Sequence, residues 1–146
     1  MKKIIGYTTG VYDLFHIGHL RLLKRAKMHC DYLIVGVSSD ELVSSYKNKL
    51  PIIPFSHRME IINSISYVDE VVVQTNRDKK QQFEELCYDV LFVGDDWKDD
   101  PLWKELEVHL EASGASITYF PYTKTVSTTK YTKILQEIYD SEIASK

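Results

Sequence analysis

Along the chain, short runs of β-branched and apolar residues alternate with segments whose apolar positions recur at helical spacing. The β-rich runs are Lys3 to Thr8, Tyr32 to Ser38, Glu70 to Val73, Val90 to Val93 and Ser116 to Phe120. The spacing predicts helices over approximately Ile17 to His29, Ser39 to Ser45, His57 to Ser64, Lys79 to Leu86, Leu102 to Ala112 and Ser127 to Tyr139. In the first helix Leu20, Leu23 and Lys27 share a stripe beside Arg21, Lys24 and Arg25, a buried face next to a wet one. Strands separated by helices need crossover connections, which are right-handed and make a parallel sheet. Ile34-Val35-Gly36-Val37 and Val71-Val72-Val73 read as strands covered on both faces. The expectation is one doubly wound α/β domain over residues 1–146, with five parallel strands in the order 3-2-1-4-5.

Punctuation refines this frame. Ser56 stands where it would cap the helix at His57, Pro101 fits a first helical turn, and Gly114 is placed to end the helix before the last strand. The stretch Tyr46 to Pro54, with Lys47, Lys49, Pro51 and Pro54, follows neither periodicity and reads as a basic functional loop.

Composition removes several classes of function. At 146 residues and 44% hydrophobic, the chain suits one core without staples. Cys30 and Cys87 lack Cys-x-x-Cys spacing and follow no signal peptide, which points to free thiols in a reducing cytoplasm. No apolar run approaches the roughly 20 residues of a membrane span, so no membrane partner is expected. With 18 basic and 21 acidic residues the net charge is -3, which argues against a bulk electrostatic grip on nucleic acid. Any anion has to be captured locally.

Doubly wound sheets bind ligands beyond the carboxyl ends of their strands, where the strand order reverses. There the first strand runs into Thr8-Thr9-Gly10-Val11-Tyr12-Asp13-Leu14-Phe15-His16-Ile17-Gly18-His19. With a helix starting near His16 or Ile17, the two histidines share its first turn, where unpaired N–H groups and the dipole favour a phosphate. Gly18 removes a side chain where a phosphate would press close, and Gly10 lets the strand-to-helix turn bend. Two imidazoles beside that phosphate can donate to oxygens gaining charge in an in-line displacement. Other readings of the pair are half a zinc site completed by Asp13, His29 or Cys30, and two structural histidines. Against zinc, His29 and Cys30 belong at the far end of the same helix; against incidental histidines, a glycine stands between them directly after a strand.

Gly10-Val11-Tyr12-Asp13 followed by His16-Ile17-Gly18-His19 resembles the nucleotidyltransferase superfamily with the His-x-Gly-His signature. Within it, the chain resembles most nearly the small bacterial glycerol-3-phosphate cytidylyltransferases, themselves similar to the catalytic domains of choline- and ethanolamine-phosphate cytidylyltransferases. The resemblance covers nearly the whole chain. It extends through Ser39-Asp40-Glu41, Lys47-x-Lys49, His57-Arg58, Tyr67-Val68-Asp69-Glu70-Val71, Gly94-Asp95-Asp96-Trp97 and Val126-Ser127-Thr128-Thr129-Lys130.

The resemblance implies transfer of CMP from CTP to a small phosphorylated alcohol, foremost glycerol 3-phosphate, by a Mg²⁺-dependent homodimer. It implies His16 and His19 as catalytic contacts to the α- and β-phosphates, with Lys47 and Lys49 neutralising CTP and the attacking phosphate. The nucleotide would lie against Thr9, Gly10, Val11, Tyr12, Gly18, Asp95, Thr123, Val126, Ser127 and Thr128. The acceptor would meet Asp40, Lys47, Lys49, Arg58 and Arg77, with the Arg58 guanidinium suited to a phosphate. Asp13 is left between orienting an imidazole and helping to hold Mg²⁺. Asp96 is a loop cap or a contact, and Trp97 a site wall or a core residue.

The chain departs from the family pattern in places. Where the family's last motif carries Arg-Thr-x-Gly, this sequence reads Tyr122-Thr123-Lys124-Thr125, and Ser66 and Arg77 stand for another arginine and a tryptophan. The expectation is that Lys124 or Lys130 replaces the lost charge and that Arg77 reshapes the acceptor pocket. Alternatives are another polyol phosphate, phosphocholine or phosphoethanolamine as acceptor, an ATP-dependent adenylyltransferase, and a nucleotide-binding regulator without catalysis. Aminoacyl-tRNA synthetases share the signature, but this acidic chain has no room for their tRNA-binding body.

Overall fold

A computed structural model describes residues 2–95, 98–121 and 127–144. The strands are β1 (Ile5–Gly10), β2 (Tyr32–Ser38), β3 (Glu70–Gln74), β4 (Val90–Gly94) and β5 (Ser116–Phe120). The helices are α1 (Ile17–Met28), α2 (Asp40–Lys47), α3 (Phe55–Asn63), α4 (Lys79–Leu86), α5 (Pro101–Ala112) and α6 (Thr128–Ala144). All strand pairs are parallel and the order is β3-β2-β1-β4-β5, the doubly wound α/β sheet expected from the alternation.

Period-two alternation sends Leu33, Val35 and Val37 of β2 to one face and Ile34 to the other. The first face packs on Leu23 and Ala26 of α1 and Ile62 of α3; the second packs on Leu106 and Leu110 of α5, with Phe83 and Leu86 of α4 beside them. In α1 the fully buried residues are Leu23 and Ala26 rather than the predicted Leu20 and Lys27. Lys27 instead reaches Asp69 at 2.6 Å. Val71-Val72-Val73 is not covered on both faces: β3 is an edge strand, and Val73 is 48% exposed.

Pairing between β1 and β4 is short. Only Gly6↔Val90 and Tyr7↔Leu91 are in register, whereas β1 follows β2 for its full length from Ile5↔Tyr32 to Gly10↔Val37. Beyond Tyr7 the contact passes to a side chain, with the Thr8 hydroxyl donating to the Phe92 carbonyl at 2.9 Å. The two strands therefore part at their carboxyl ends, and the crevice opens where the winding direction reverses.

Helix ends follow their chemistry with one correction. Pro101 opens α5, and Gly114, at φ 86°, closes it with N–H bonds from Gly114 to Glu111 and from Ala115 to Leu110. Ser56 does not cap α3, which begins at Phe55, two residues before the expected start, behind Pro54; the Phe55 N–H donates to the Asp40 carboxylate at 3.3 Å instead. The basic loop is shorter than expected, because Tyr46 and Lys47 complete α2 before Asn48 turns left-handed at φ 57°. Among the described residues no helix is long and apolar enough to cross a membrane.

Candidate active site

The crevice between β1 and β4 widens into a cavity of about 980 Å³. It is lined by the end of β1 and the loop after it, the first turns of α1, the Lys47–Ile52 segment, Gly94 of β4 and the inner side of α6. Thr9, Gly10, Val11, Tyr12, Asp13, His16, Gly18, His19, Lys47, Lys49, Ser127 and Thr128, all named from the sequence, line it together.

The loop from β1 to α1 is built by two non-glycine residues in the left-handed region, Tyr12 at φ 57° and Leu14 at φ 50°. The expectation that Gly10 supplies the bend is thus corrected. Gly10 supplies room instead: a Cβ there would lie 2.9 Å from the Tyr12 ring, which folds back over the strand end. Tyr12 and Phe15 then hold His19, with ring centroids 5.3 and 5.4 Å away. Left-handed residues of this kind cost on the order of 1 kcal/mol or more and persist where the surroundings demand them.

The two histidines cap their own helix. The His16 Nδ1 accepts from the Gly18 N–H at 3.1 Å, and the His19 Nδ1 accepts from the His16 N–H at 3.3 Å. The orphan amides that the sequence offered to a phosphate are therefore partly used by imidazoles, a capping box in which histidines take both roles. The rings stack with centroids 3.8 Å apart, inclined by 21°, and Tyr131 of α6 meets His16 edge-on at 5.6 Å.

This geometry fixes the tautomers. A ring nitrogen that accepts from a backbone N–H carries no proton, so in each neutral imidazole the proton sits on Nε2, which those two bonds leave free. Burial lowers the affinity of His16 for a second proton. His19 falls to about 4, through burial first, then through His16, with the Asp13 carboxylate opposing. At neutral pH the site thus presents two N–H donors.

Asp13 ties the site together. Its carboxylate accepts from the Ile52 N–H at 2.8 Å and the Ile53 N–H at 2.9 Å, anchoring the segment that carries Lys49, while its carbonyl accepts from the Thr128 hydroxyl at 2.9 Å. Neither role left open by the sequence, orienting an imidazole or holding a metal, describes those contacts. Among the described residues no three His, Cys, Asp or Glu side chains gather as metal ligands, and His29 and Cys30 lie beyond the opposite end of α1.

Three residues that the resemblance implies for the acceptor, Asp40, Arg58 and Arg77, are not among the cavity's described lining residues. Arg58 is 0% exposed: its guanidinium donates to the carbonyls of Ile53, Val11 and Ser38 and to the Asp40 carboxylate, at 2.7–2.9 Å. Asp40 spends its other oxygen on the Phe55 amide. Arg58 and Asp40 form a knot behind the cavity, joining the ends of β1 and β2 to the starts of α2 and α3. Arg77 also stands outside the cavity, stacked over the Tyr46 ring at 4.6 Å.

Asp95 is exposed just past β4 and is not among the lining residues, although its neighbour Gly94 is. Ser127 caps α6 by accepting from the Lys130 N–H at 3.0 Å, and Thr129 lines the cavity next to it. Lys130 does not line the cavity. Thr123 and Val126, with Tyr122, Lys124 and Thr125, lie outside the described residues, as do Asp96 and Trp97. Sequence reasoning missed Arg21, Leu22 and Arg25 of α1 and Leu135 and Tyr139 of α6 as cavity walls. The signal was the helical spacing of Gly18, Arg21, Leu22 and Arg25, which puts them on one face of α1.

A parallel doubly wound sheet with a His-x-Gly-His turn at its switch point defines a nucleotidyltransferase. Residues 7–138 match the family model of cytidylyltransferase-like proteins, and the chain belongs to that family. It is 42% identical over 133 residues to the glycerol-3-phosphate cytidylyltransferase of Bacillus subtilis, covering 89% of this chain and 94% of the relative. It is 34% identical over 143 residues to the FAD synthase of Thermococcus kodakarensis, covering 96% of this chain and 95% of the relative. Among solved structures, the lipopolysaccharide core biosynthesis protein of Thermoplasma volcanium superposes with a TM-score of 0.69 at 27% identity, over 86% of this chain and 100% of that one.

Proposed function

We propose that the chain transfers the cytidylyl group of CTP to the phosphate of a small phosphorylated alcohol, glycerol 3-phosphate before others, releasing pyrophosphate. The observation that carries the reading is the stacked histidine pair, bonded through Nδ1 and so left with Nε2–H to donate, in the lining of a cavity that Lys47 and Lys49 also line. The 42% identity to a named glycerol-3-phosphate cytidylyltransferase supports the choice of acceptor.

An oxygen of the acceptor phosphate attacks the α-phosphorus. The bond to the β-phosphate's bridging oxygen breaks, and its electron pair leaves with pyrophosphate. The nucleophile is already anionic near neutral pH, so no strong base is required; the work is alignment of two repelling anions and absorption of charge. Lys47 and Lys49 offset the repulsion, and the two Nε2–H groups donate to oxygens of the reacting phosphates as charge develops. Neutral donors suit this task because no proton needs to be lost or gained in the step. Mg²⁺ would arrive with the triphosphate, as the MgCTP substrate, and supply charge neutralisation on its phosphates.

A second reading, adenylyl transfer from ATP, is supported by the identity to an FAD synthase. Incubation with Mg²⁺ and each of CTP and ATP, against a panel of phosphorylated alcohols and FMN, with products identified by mass, separates the two. CDP-glycerol formed above all other products is the expected result. An adenylylated product alone would replace the reading, and nucleotide binding with no product across the panel would favour a regulator.

A further inference from the structure

The two imidazoles are not held alike. Around His19, Tyr12 and Phe15 stand at 5.3 and 5.4 Å, His16 stacks at 3.8 Å, and the His16 N–H donates to its Nδ1. His16 has the Gly18 N–H on its own Nδ1, the His19 ring, and one further ring, that of Tyr131 at 5.6 Å with the planes inclined by 64°. Its backbone is extended, at φ -138° and ψ 179°, so the rotamer restriction of a helix interior does not apply to it. The direction of this half-buried ring is set by those three contacts.

Tyr131 comes from α6, none of whose described residues is buried. The helix is seated at its start instead, where the Thr128 hydroxyl donates to the Asp13 carbonyl at 2.9 Å and the Tyr131 N–H to the Ser127 carbonyl at 3.2 Å. Residues three apart share a helix face, so the bond that anchors α6 on the β1–α1 loop also delivers the Tyr131 ring to His16. Tyr131 is not among the described residues lining the cavity; its contact is with the imidazole.

The geometry points to Tyr131 as a positioning residue: its ring braces His16 against His19 and keeps the His16 Nδ1 on the Gly18 amide, which holds the Nε2–H in one direction. The consequence for turnover rests on the nucleotidyl-transfer reading above; the brace itself does not. An inclined aromatic pair biases such an orientation by roughly two- to tenfold.

The test compares wild type, Tyr131→Leu, Tyr131→Phe and Ile134→Ala by amide hydrogen exchange in NMR and by steady-state kinetics. Leu keeps apolar bulk and helix propensity but has no ring, whereas Phe keeps the ring that makes the contact. Ile134 is exposed one turn further along α6 and does not line the cavity, so its variant controls for a general loosening of the helix. In Tyr131→Leu the Gly18 N–H should exchange roughly two- to tenfold faster while the His16 N–H, which rests on His19, exchanges as in wild type. Its kcat should fall by a similar factor, with the KM for CTP and for the acceptor within about twofold of wild type. Tyr131→Phe and Ile134→Ala should match wild type in exchange and in kcat.

Unchanged Gly18 exchange in Tyr131→Leu, or failure of Phe to retain the wild-type rate, would overturn the brace. So would equal acceleration at the His16 N–H, which marks a loosened turn, an equal effect of Ile134→Ala, or a raised KM at constant kcat. A wild type that makes no nucleotide-alcohol product, yet whose Gly18 protection depends on the Tyr131 ring, would support the brace while overturning the transfer reading.

Discussion

Replacement of Arg58 separates the acceptor-phosphate role that the resemblance implies from the structural role its contacts describe. As a phosphate ligand, Arg58 would matter to acceptor binding and little to folding. As found, its guanidinium is 0% exposed and holds three carbonyls and the Asp40 carboxylate. In Arg58→Met the aliphatic volume is retained, but the carbonyls of Val11, Ser38 and Ile53 lose a charged donor and Asp40 loses its partner. Breaking a buried ion pair costs about 3–5 kcal/mol, and each orphaned carbonyl adds about 1–3 kcal/mol unless water reaches it. Asp40 is one-third exposed and recovers hydration, so the lower figure for the pair, with one or two carbonyls rehydrated, leaves a net loss of about 4 kcal/mol. In a domain of 146 residues that lowers Tm by about 10 °C or more. Arg58→Lys keeps charge but cannot span the same acceptors with one ammonium, so it should recover only part of the loss. The assay is thermal and urea unfolding followed by circular dichroism, alongside the acceptor KM at a temperature where each variant is folded. A wild-type Tm combined with a raised acceptor KM would refute the knot and return Arg58 to the substrate.

Three further outcomes follow from the site. His16→Asn keeps a cap acceptor for the Gly18 N–H but removes Nε2–H, so turnover should fall by roughly a hundredfold or more with little change in Tm; matched losses of both would make the ring structural. Asp13→Asn leaves one acceptor for two amides, so the segment of Ile52 and Ile53 should loosen, seen as faster amide exchange there and a drop in kcat/KM, while exchange at Gly18 stays as in wild type. The His19 imidazole binds a proton at about 4 when folded and at 6.5 when unfolded, so the unfolded state holds more protons between these values. Stability should rise with pH across that window, by at most about 1.4 kcal/mol per pH unit from this residue, and level off above it. A His19→Asn protein should lack that part of the slope in urea unfolding; an unchanged slope would show that His19 is not the group responsible.

The order of the elements and the place of the site were legible in the sequence because they rest on local physics. Hydrophobic period separated strands from helices, the right-handed crossover rule then left few topologies, and a glycine between histidines after the first strand marked the switch point. The capping box was in principle visible as well, since His16 and His19 stand at the spacing of such a box; what hid it is that histidine seldom takes both roles. Residues of the same chemical type nonetheless ended in different places. Lys47, Lys49 and Arg21 face the cavity, Arg58 is enclosed behind it, and Arg77 is stacked on Tyr46 outside it. No local signal distinguishes them, because a guanidinium's partners are set by which chain segments converge around it. For Arg58 these are backbone carbonyls at the ends of β1 and β2 and before α3, brought together only when the sheet and its crossovers have formed. The sequence by itself determined the alternation of strands and helices, the helix spacing and the histidine turn, since each depends on neighbours within a few residues. Which cations and carboxylates meet a ligand, and which bind the protein to itself, was decided by tertiary structure, because a buried charge takes the nearest oxygens the fold supplies.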